Sequence, residues 1–335
     1  MSATIKLENK HFPVLLKELI SIISPLYGGT FLDCTFGQGG YSRKILEKNN
    51  NNKVVAIDRD QDVYLYAKEL EKKYNNRFHF QNIKFSEINR DKIKSKDLKA
   101  IIFDLGYSNN QIKDLSRGLS FKSTGKLNMK MGINNFSCHE VISSMSEINL
   151  YKIFKYYGDE KYSKKIAKKI VEIRKTKIIN TEDLTKIIDS IKRFKNSKIN
   201  NSTKVFQALR IFVNKEISEL INGLVNAFNL IPVGGIIVVV TFHSIEDKIV
   251  KFFFKNYSEI NNASRYAPIK ENNVRCFNLQ NKKPIIPSSE ELKLNPPSRS
   301  AKLRFAVKIK NECNFEEFIQ KFKQLTDIEN LSFDK

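Results

Sequence analysis

A chain of 335 residues with 41% hydrophobic content carries enough apolar material for a large core and for more than one domain. No apolar run approaches membrane-spanning length, and the opening MSATIKLENK lacks the layout of a signal peptide, so neither a membrane span nor secretion is expected. The net charge of +22 points to a polyanionic partner, with a general excess of lysine as the plainer account.

The N-terminal stretch His11–Ile23 reads as a turn and an amphipathic helix, with Leu15, Leu19 and Ile23 at helical spacing. The stretch around which the chain is organised follows, FLDCTFGQGGYSRKIL at Phe31–Leu46. It reads as a strand ending at Asp33, a turn holding Gly37, Gly39 and Gly40, and a helix that Ser42 can cap. The dinucleotide pattern G-x-G-x-x-G fails at Ser42, and no Gly-Lys-Ser/Thr phosphate loop is present. Asp33, just before the glycines, suits a ligand with an ammonium group. Asp58 ends the next strand, Lys53–Asp58, where a carboxylate can accept both hydroxyls of a ribose. S-adenosylmethionine (SAM) has an ammonium, a carboxylate and a ribose, and no phosphate. Another nucleotide or an ordinary tight turn are the alternatives.

Further strands are expected at Arg77–Gln81 and Ala100–Asp104, with a helix at Asp62–Lys73 between. Strands alternating with helices imply a parallel sheet covered on both faces, with ligands beyond its carboxyl edge. Asp33, Asp58, Phe85 and Asp104 all fall at or past such ends. The alternation then stops. Helices are expected at Lys161–Lys175 and after a cap at Thr181, and residues 113–207 hold 21 Lys and Arg against 9 Asp and Glu. That asymmetry favours a helical insert that meets nucleic acid. Asn196–Asn201 reads as a return linker, followed by one long helix at Thr203–Leu230 and a buried strand at Ile236–Phe242. Lys302–Ile309 alternates like a final antiparallel strand, and the last twenty residues read as a frayed tail. Cys34, Cys138, Cys276 and Cys313 are scattered, which fits a reducing cytoplasm and argues against a disulfide framework or a structural metal.

Nine strings, in order, resemble one family, the bacterial 16S rRNA cytosine-N4 methyltransferases known as RsmH or MraW. They are H-F-P-V-L-L-K-E (11–18), D-C-T-F-G-Q-G-G-Y-S-R (33–43), A-I-D-R-D (56–60), F-D-L-G-Y-S (103–108) and S-R-G-L-S-F (116–121). The others are Y-G-D-E-K-Y (157–162), F-Q-A-L-R-I-F-V-N-K-E (206–216), T-F-H-S-I-E-D-K-I-V-K (241–251) and N-P-P-S-R-S-A-K-L-R (295–304). The resemblance implies an α/β fold: a Rossmann-like SAM-dependent methyltransferase sheet, residues 1–112 with 206–335, and an inserted all-helical, basic, RNA-binding domain, residues 113–205. It implies a cytoplasmic enzyme whose partner is 16S rRNA in the small ribosomal subunit near the decoding centre, with no metal, no membrane and a homodimer left open. By matching position, SAM contacts are implied at Gly39, Gly40, Tyr41, Asp58, Phe85, Asp104 and Gln111. The sequence departs from the family at Tyr41, where His is usual, and at Asn110 and Asn128, which replace Pro and Asp.

The acceptor chemistry follows from the residues. Cytosine N4 is a poor nucleophile because its lone pair is delocalised into the ring. A carboxylate accepting its N–H can localise that pair and aim it. Asp104, in Asp104-Leu105-Gly106-Tyr107, occupies the position where amino-methyltransferases keep that acceptor. Tyr107 is a candidate stacking partner for the base. Methylation at carbon 5 would need a Cys nucleophile, usually after Pro, and no Pro-Cys pair exists. Arg117, Lys126, Lys130, Arg210, His243, Arg299 and Arg304 are RNA-contact candidates, each set against an ordinary surface charge or, for His243, a helix cap. A catalytically weakened RNA-binding or ribosome-assembly protein on the same fold, and a dehydrogenase, are the rival readings.

Overall fold

A computed structural model describes residues 13–95, 97–121, 123, 125–192, 200–258 and 275–333. His11 and most of the expected linker Asn196–Asn201 lie outside the described residues. The chain divides into two compact units, Met1–Gly106 with Leu224–Asn314 and Tyr107–Gly223 with Phe315–Lys335. The expected borders at residues 113 and 205 thus differ from this division, which also gives the C-terminal segment to the helical unit.

The first unit begins with α1 (Leu16–Ile23), β1 (Gly29–Asp33), α2 (Gly40–Lys48), β2 (Asn52–Ile57), α3 (Tyr64–Tyr74), β3 (Phe78–Gln81) and β4 (Leu98–Asp104). The second unit holds α4 (Asn109–Lys113), α5 (Cys138–Ser144), α6 (Glu147–Gly158), α7 (Ser163–Ile173), α8 (Thr181–Ile191) and α9 (Thr203–Asn214). The border between units falls inside α10 (Glu216–Leu230). The first unit resumes with β5 (Ile236–Thr241), α11 (Ser244–Asn256), β6 (Phe277–Asn278), α12 (Ser289–Leu294) and β7 (Lys302–Lys308), and α13 (Glu316–Ile328) belongs to the second.

The seven strands form one sheet in the order β3-β2-β1-β4-β5-β7-β6. The first five are parallel, and β7 runs antiparallel to both β5 and β6. β5 and the Ala100–Phe103 stretch of β4 are apolar and buried, and β1 is buried from Thr30 to Asp33, as strands covered on both faces must be. The order reverses between β1 and β4. Their pairing sets Asp33 beside Ile102, so Asp33 and Asp104 end neighbouring strands on the same edge. That reversal is where open α/β sheets bind ligands. Phe253 and Phe254 of α11 pack against Phe277, with ring centroids 5.3 and 5.4 Å away. Each fully buried Phe contributes about 1.5–3 kcal/mol. Lys308 is 2% exposed, and its Nζ donates to the carbonyls of Phe228 and Ile231 at the end of α10, at 2.7 and 2.8 Å.

Four expectations are corrected. The helix expected over Thr203–Leu230 is broken at Lys215, which adopts φ 49° between α9 and α10. The cap of α8 is Asn180, whose side chain accepts from Asp183 N while Asp183 reaches back, and Thr181 is the first helical residue. The last twenty residues contain α13, with Phe318, Phe322 and Ile328 buried. Cys276 and Cys313 are disulfide-bonded, a pairing of residues 37 apart that no spacing in the sequence could announce.

Candidate active site at the carboxyl edge of the sheet

The site in the first unit is built on the turn after β1. Asp33 is fully buried: its Oδ2 accepts from Ser42 Oγ at 2.7 Å and its Oδ1 from Thr35 N at 3.3 Å. Both oxygens are therefore used to hold the turn. Asp58, one residue past β2, ties in the glycine loop, with Oδ2 accepting from Gly37 N at 2.8 Å and Oδ1 from Asp60 N at 2.9 Å. Gly37 has φ 53°, and a Cβ built there would meet no atom nearer than Thr35 O at 4.0 Å, so the space above it is open to a ligand. Gly39 and Gly40 are glycines for another reason. A Cβ at Gly39 would fall 2.6 Å from the Phe36 ring, and one at Gly40 2.2 Å from Pro13.

Asp104 closes β4. Its amide donates to Thr35 Oγ1 at 2.7 Å, which fixes the residue against the same turn. Its carboxylate Oδ1 is out of solvent and has no hydrogen-bond partner. A buried acceptor left open costs free energy unless a ligand satisfies it. Tyr41, in the first turn of α2, is 4% exposed, and its hydroxyl donates to the Val14 carbonyl. The same hydroxyl and Asp104 influence one another electrostatically. Glu246 also faces Asp104 electrostatically. It is held by the amides of Phe242 and His243, which donate to its Oε2 at 2.7 and 3.2 Å. Phe85 lies edge-on to Phe103, with ring centroids 5.5 Å apart.

This edge is rich in acid and poor in counter-charge. Burial pushes Asp104 up to about 8, and the charges of Asp33 and Glu246 push the same way, while Tyr41 opposes them. Asp58 is pushed up to about 6, mainly by burial and against the amides of Asp60 and Gly37. Asp33 is pushed up to about 6 by burial, against Ser42 and Thr35. Such a cluster is at ease with a cation. SAM carries a sulfonium and an ammonium, so an unsatisfied Asp104 oxygen, open space over Gly37 and surplus negative charge all fit it.

The other expected residues lie elsewhere or are already engaged. Gln111 belongs to the second unit, is 8% exposed, and its Oε1 accepts from Ser108 N at 2.9 Å. Arg210, also in the second unit, is 7% exposed and gripped by both oxygens of Glu216 at 2.8 Å each, with its guanidinium over the Tyr107 ring. Arg304 is 9% exposed and donates to Asp247 at 2.7 Å, and Arg117 donates to Asp114 at 3.3 Å. His243 caps α11, its Nδ1 accepting from Glu246 N at 3.4 Å. Lys126 and Arg299 are exposed and Lys130 is half-buried. Thr35, Ser42 and Glu246 were not expected in the site. Thr35 and Ser42 stand in the glycine string itself, but hydroxyls so common carry no signal of their own.

Residues 8–309 match the model of the MraW methylase family. A protein of Ehrlichia ruminantium named ribosomal RNA small subunit methyltransferase H is 42% identical over 305 residues, covering 89% of this chain and 99% of that one. Proteins of the same name from Ehrlichia canis and Rickettsia bellii are 43% and 42% identical, covering 89% and 90% of this chain and the whole of each relative. The chain belongs to the MraW methylase family and is a SAM-dependent methyltransferase.

Proposed function

We propose that the protein transfers the methyl group of SAM to the exocyclic N4 of a cytidine in small-subunit ribosomal RNA. The observation that carries this reading is the unpartnered, buried Oδ1 of Asp104 at the end of β4. SAM supplies an electrophilic methyl group and a positive charge. A cation beside Asp104 favours its carboxylate form. Oδ1 then accepts an N–H of the acceptor amine, which aims the nitrogen lone pair and localises it. As that nitrogen gains its bond to carbon it must lose one proton, and Asp104 is the base at hand to take it. Asp58 receives the ribose hydroxyls, and Asp33 keeps the turn in shape through Ser42 and Thr35. Of the RNA-contact candidates, Lys126, Lys130 and Arg299 are the best placed for phosphates, because they are not spent on buried ion pairs.

The test uses labelled SAM with free small-subunit RNA, naked small subunits and whole ribosomes, followed by mass spectrometry of the modified nucleoside. N4-methylcytidine in one of these substrates, abolished in Asp104→Ala, is expected. Only 5-methylcytidine, or full activity in the variant, would overturn the assignment. SAM binding with no transfer to any substrate would leave a non-catalytic assembly protein.

A further inference from the structure

Between α4 and α5 the second unit carries the string Lys126-Leu127-Asn128-Met129-Lys130-Met131, along which burial alternates. Leu127 and Met129 are 0% exposed and Met131 8%, while Lys126 is exposed and Asn128 and Lys130 are half-buried. Three other segments hold the backbone of this string. Met129 N donates to Arg117 O at 2.7 Å, Cys138 N to Asn128 O at 2.8 Å, and Asn214 Nδ2 to Met129 O at 2.9 Å. Gly118, at φ 66°, passes so close that a Cβ there would stand 2.7 Å from Lys126 O. The backbone is thus spent on structure, but the Asn128 side chain is not. Its Oδ1 is out of solvent and unpartnered, and among the described residues its Nδ2 has no acceptor. A buried amide left open costs free energy until a ligand pairs with it. The flanking lysines are open as well, since among the described residues neither Lys126 nor Lys130 forms an ion pair. Glu140, held low by Ser137 and to a lesser degree by Lys130, is committed to the cap of α5.

We propose that Asn128 reads the edge of an unpaired base in the RNA substrate, with Lys126 and Lys130 holding phosphates on either side of it. The proposal rests on the reading of RNA as the substrate, and adds to it a residue that selects sequence and takes no part in the transfer itself. A carboxamide carries a donor and an acceptor side by side, so one amide can make two bonds to the edge of one base. The edges of a paired A-form duplex are poorly accessible, whereas an unstacked base offers its Watson–Crick or Hoogsteen edge. A peptide amide has the same pattern, but two unpaired ammonium groups beside Asn128 ask for anions, and each nucleotide brings one. The division of labour is the usual one, with phosphate contacts positioning the strand and the base contact specifying it. Because the string is already fixed through its backbone, binding has little left to order but side chains.

The experiment measures binding of the full chain to single-stranded oligoadenosine, oligocytidine and oligouridine of about twelve nucleotides, by fluorescence anisotropy over a salt series. Asn128→Ala should weaken the three unequally, by about 5- to 150-fold for the base that Asn128 reads best. Asn128→Asp keeps the shape but can only accept, so it should change the order of preference among the three. Lys126→Ala and Lys130→Ala should weaken all three alike, each lowering the salt slope by about 0.7. The Tm of Asn128→Ala should be no lower than that of wild type, because the amide holds nothing within the protein. In labelled methyl transfer, Asn128→Ala should raise KM for RNA and leave kcat and SAM affinity in place. Equal losses for the three oligonucleotides in Asn128→Ala, no loss at all, a fallen Tm in that variant, or unmoved salt slopes in both lysine variants would overturn the proposal. Base-selective binding that depends on Asn128, without methyl transfer to any RNA, would support this site and overturn the transfer reading alone.

Discussion

At the residue scale, three aspartates in one edge have three different tasks because their surroundings differ. Asp33 has both oxygens occupied and no exposure, so it shapes the turn. Asp58 accepts two amides and is half-buried, with lone pairs left for a ligand. Asp104 keeps one oxygen unclaimed. The sequence placed all three at strand ends but had no means of telling them apart, since occupancy of a carboxylate is a matter of neighbours from other strands. Replacing Asp58 with Ala should weaken SAM binding by about 1–3 kcal/mol, the range for a lost charged hydrogen bond. Calorimetry at fixed salt measures this, and an unchanged affinity would remove Asp58 from the ligand contacts. Arg210 illustrates the opposite difficulty. In the sequence it is one basic residue among many, yet its guanidinium is locked by Glu216 six residues on.

At the element scale, the sequence resolved strands and amphipathic helices well because their periodicity is local. It joined α9 and α10 into one helix because the apolar spacing runs through the break. The break is held by tertiary partners: Asn214 donates to the carbonyls of Met129 and Arg210 and accepts from Met131 N, and the Arg210–Glu216 pair spans Lys215. Such partners offset the cost of about 1–2 kcal/mol for left-handed backbone at a non-glycine residue. The C-terminal helix α13 was missed because the segment was read as a chain end, although Phe318, Phe322, Leu325 and Ile328 recur at helical spacing. Glu329, just after it, accepts from Ile217 N and Ser218 N at 2.8 and 3.0 Å, which ties the tail to the first turn of α10. Phe318→Ala should therefore destabilise the fold by about 3–5 kcal/mol in chemical denaturation, where a frayed tail would give no change. On α7, Ile166, Ala167 and Ile170 are buried while Lys164, Lys165, Lys168 and Lys169 are exposed. Reversing the charge of those four lysines should lower RNA affinity about uniformly across sequences and flatten its salt dependence, with SAM affinity unchanged. An unaltered salt slope would reduce them to a solvated helix face.

At the scale of the whole molecule, the acids held high by burial set a pH dependence. Asp33 and Asp58 stand at about 6, Glu329 at about 7 and Asp104 at about 8, each chiefly through desolvation. All lie above the usual unfolded value near 4. The folded chain thus binds more protons than the unfolded chain in that window, and stability is lost as pH rises from about 4 through 8. Asp97, Asp114, Glu140, Asp183 and Asp247 are held low, so their contribution is lost only at more acidic pH. The ligand-free protein should melt at lower temperature at pH 8 than at pH 5.5, and SAM should raise Tm more at pH 8, where ionised acids meet its positive charge. A flat Tm over that range would mean that these acids are not strained by burial.

The sequence by itself determined the parallel sheet, the glycine turn, the strand-end acids, the basic helical stretch and the family, because each is written in periodicity or in an unbroken string. The tertiary structure alone decided which acid keeps an open oxygen, which arginines are already paired, where α9 ends and that Cys276 meets Cys313. The physical reason is the same in every case. Periodicity records which face of an element is buried, whereas hydrogen bonds, ion pairs and disulfides depend on partners that only folding brings within a few ångströms.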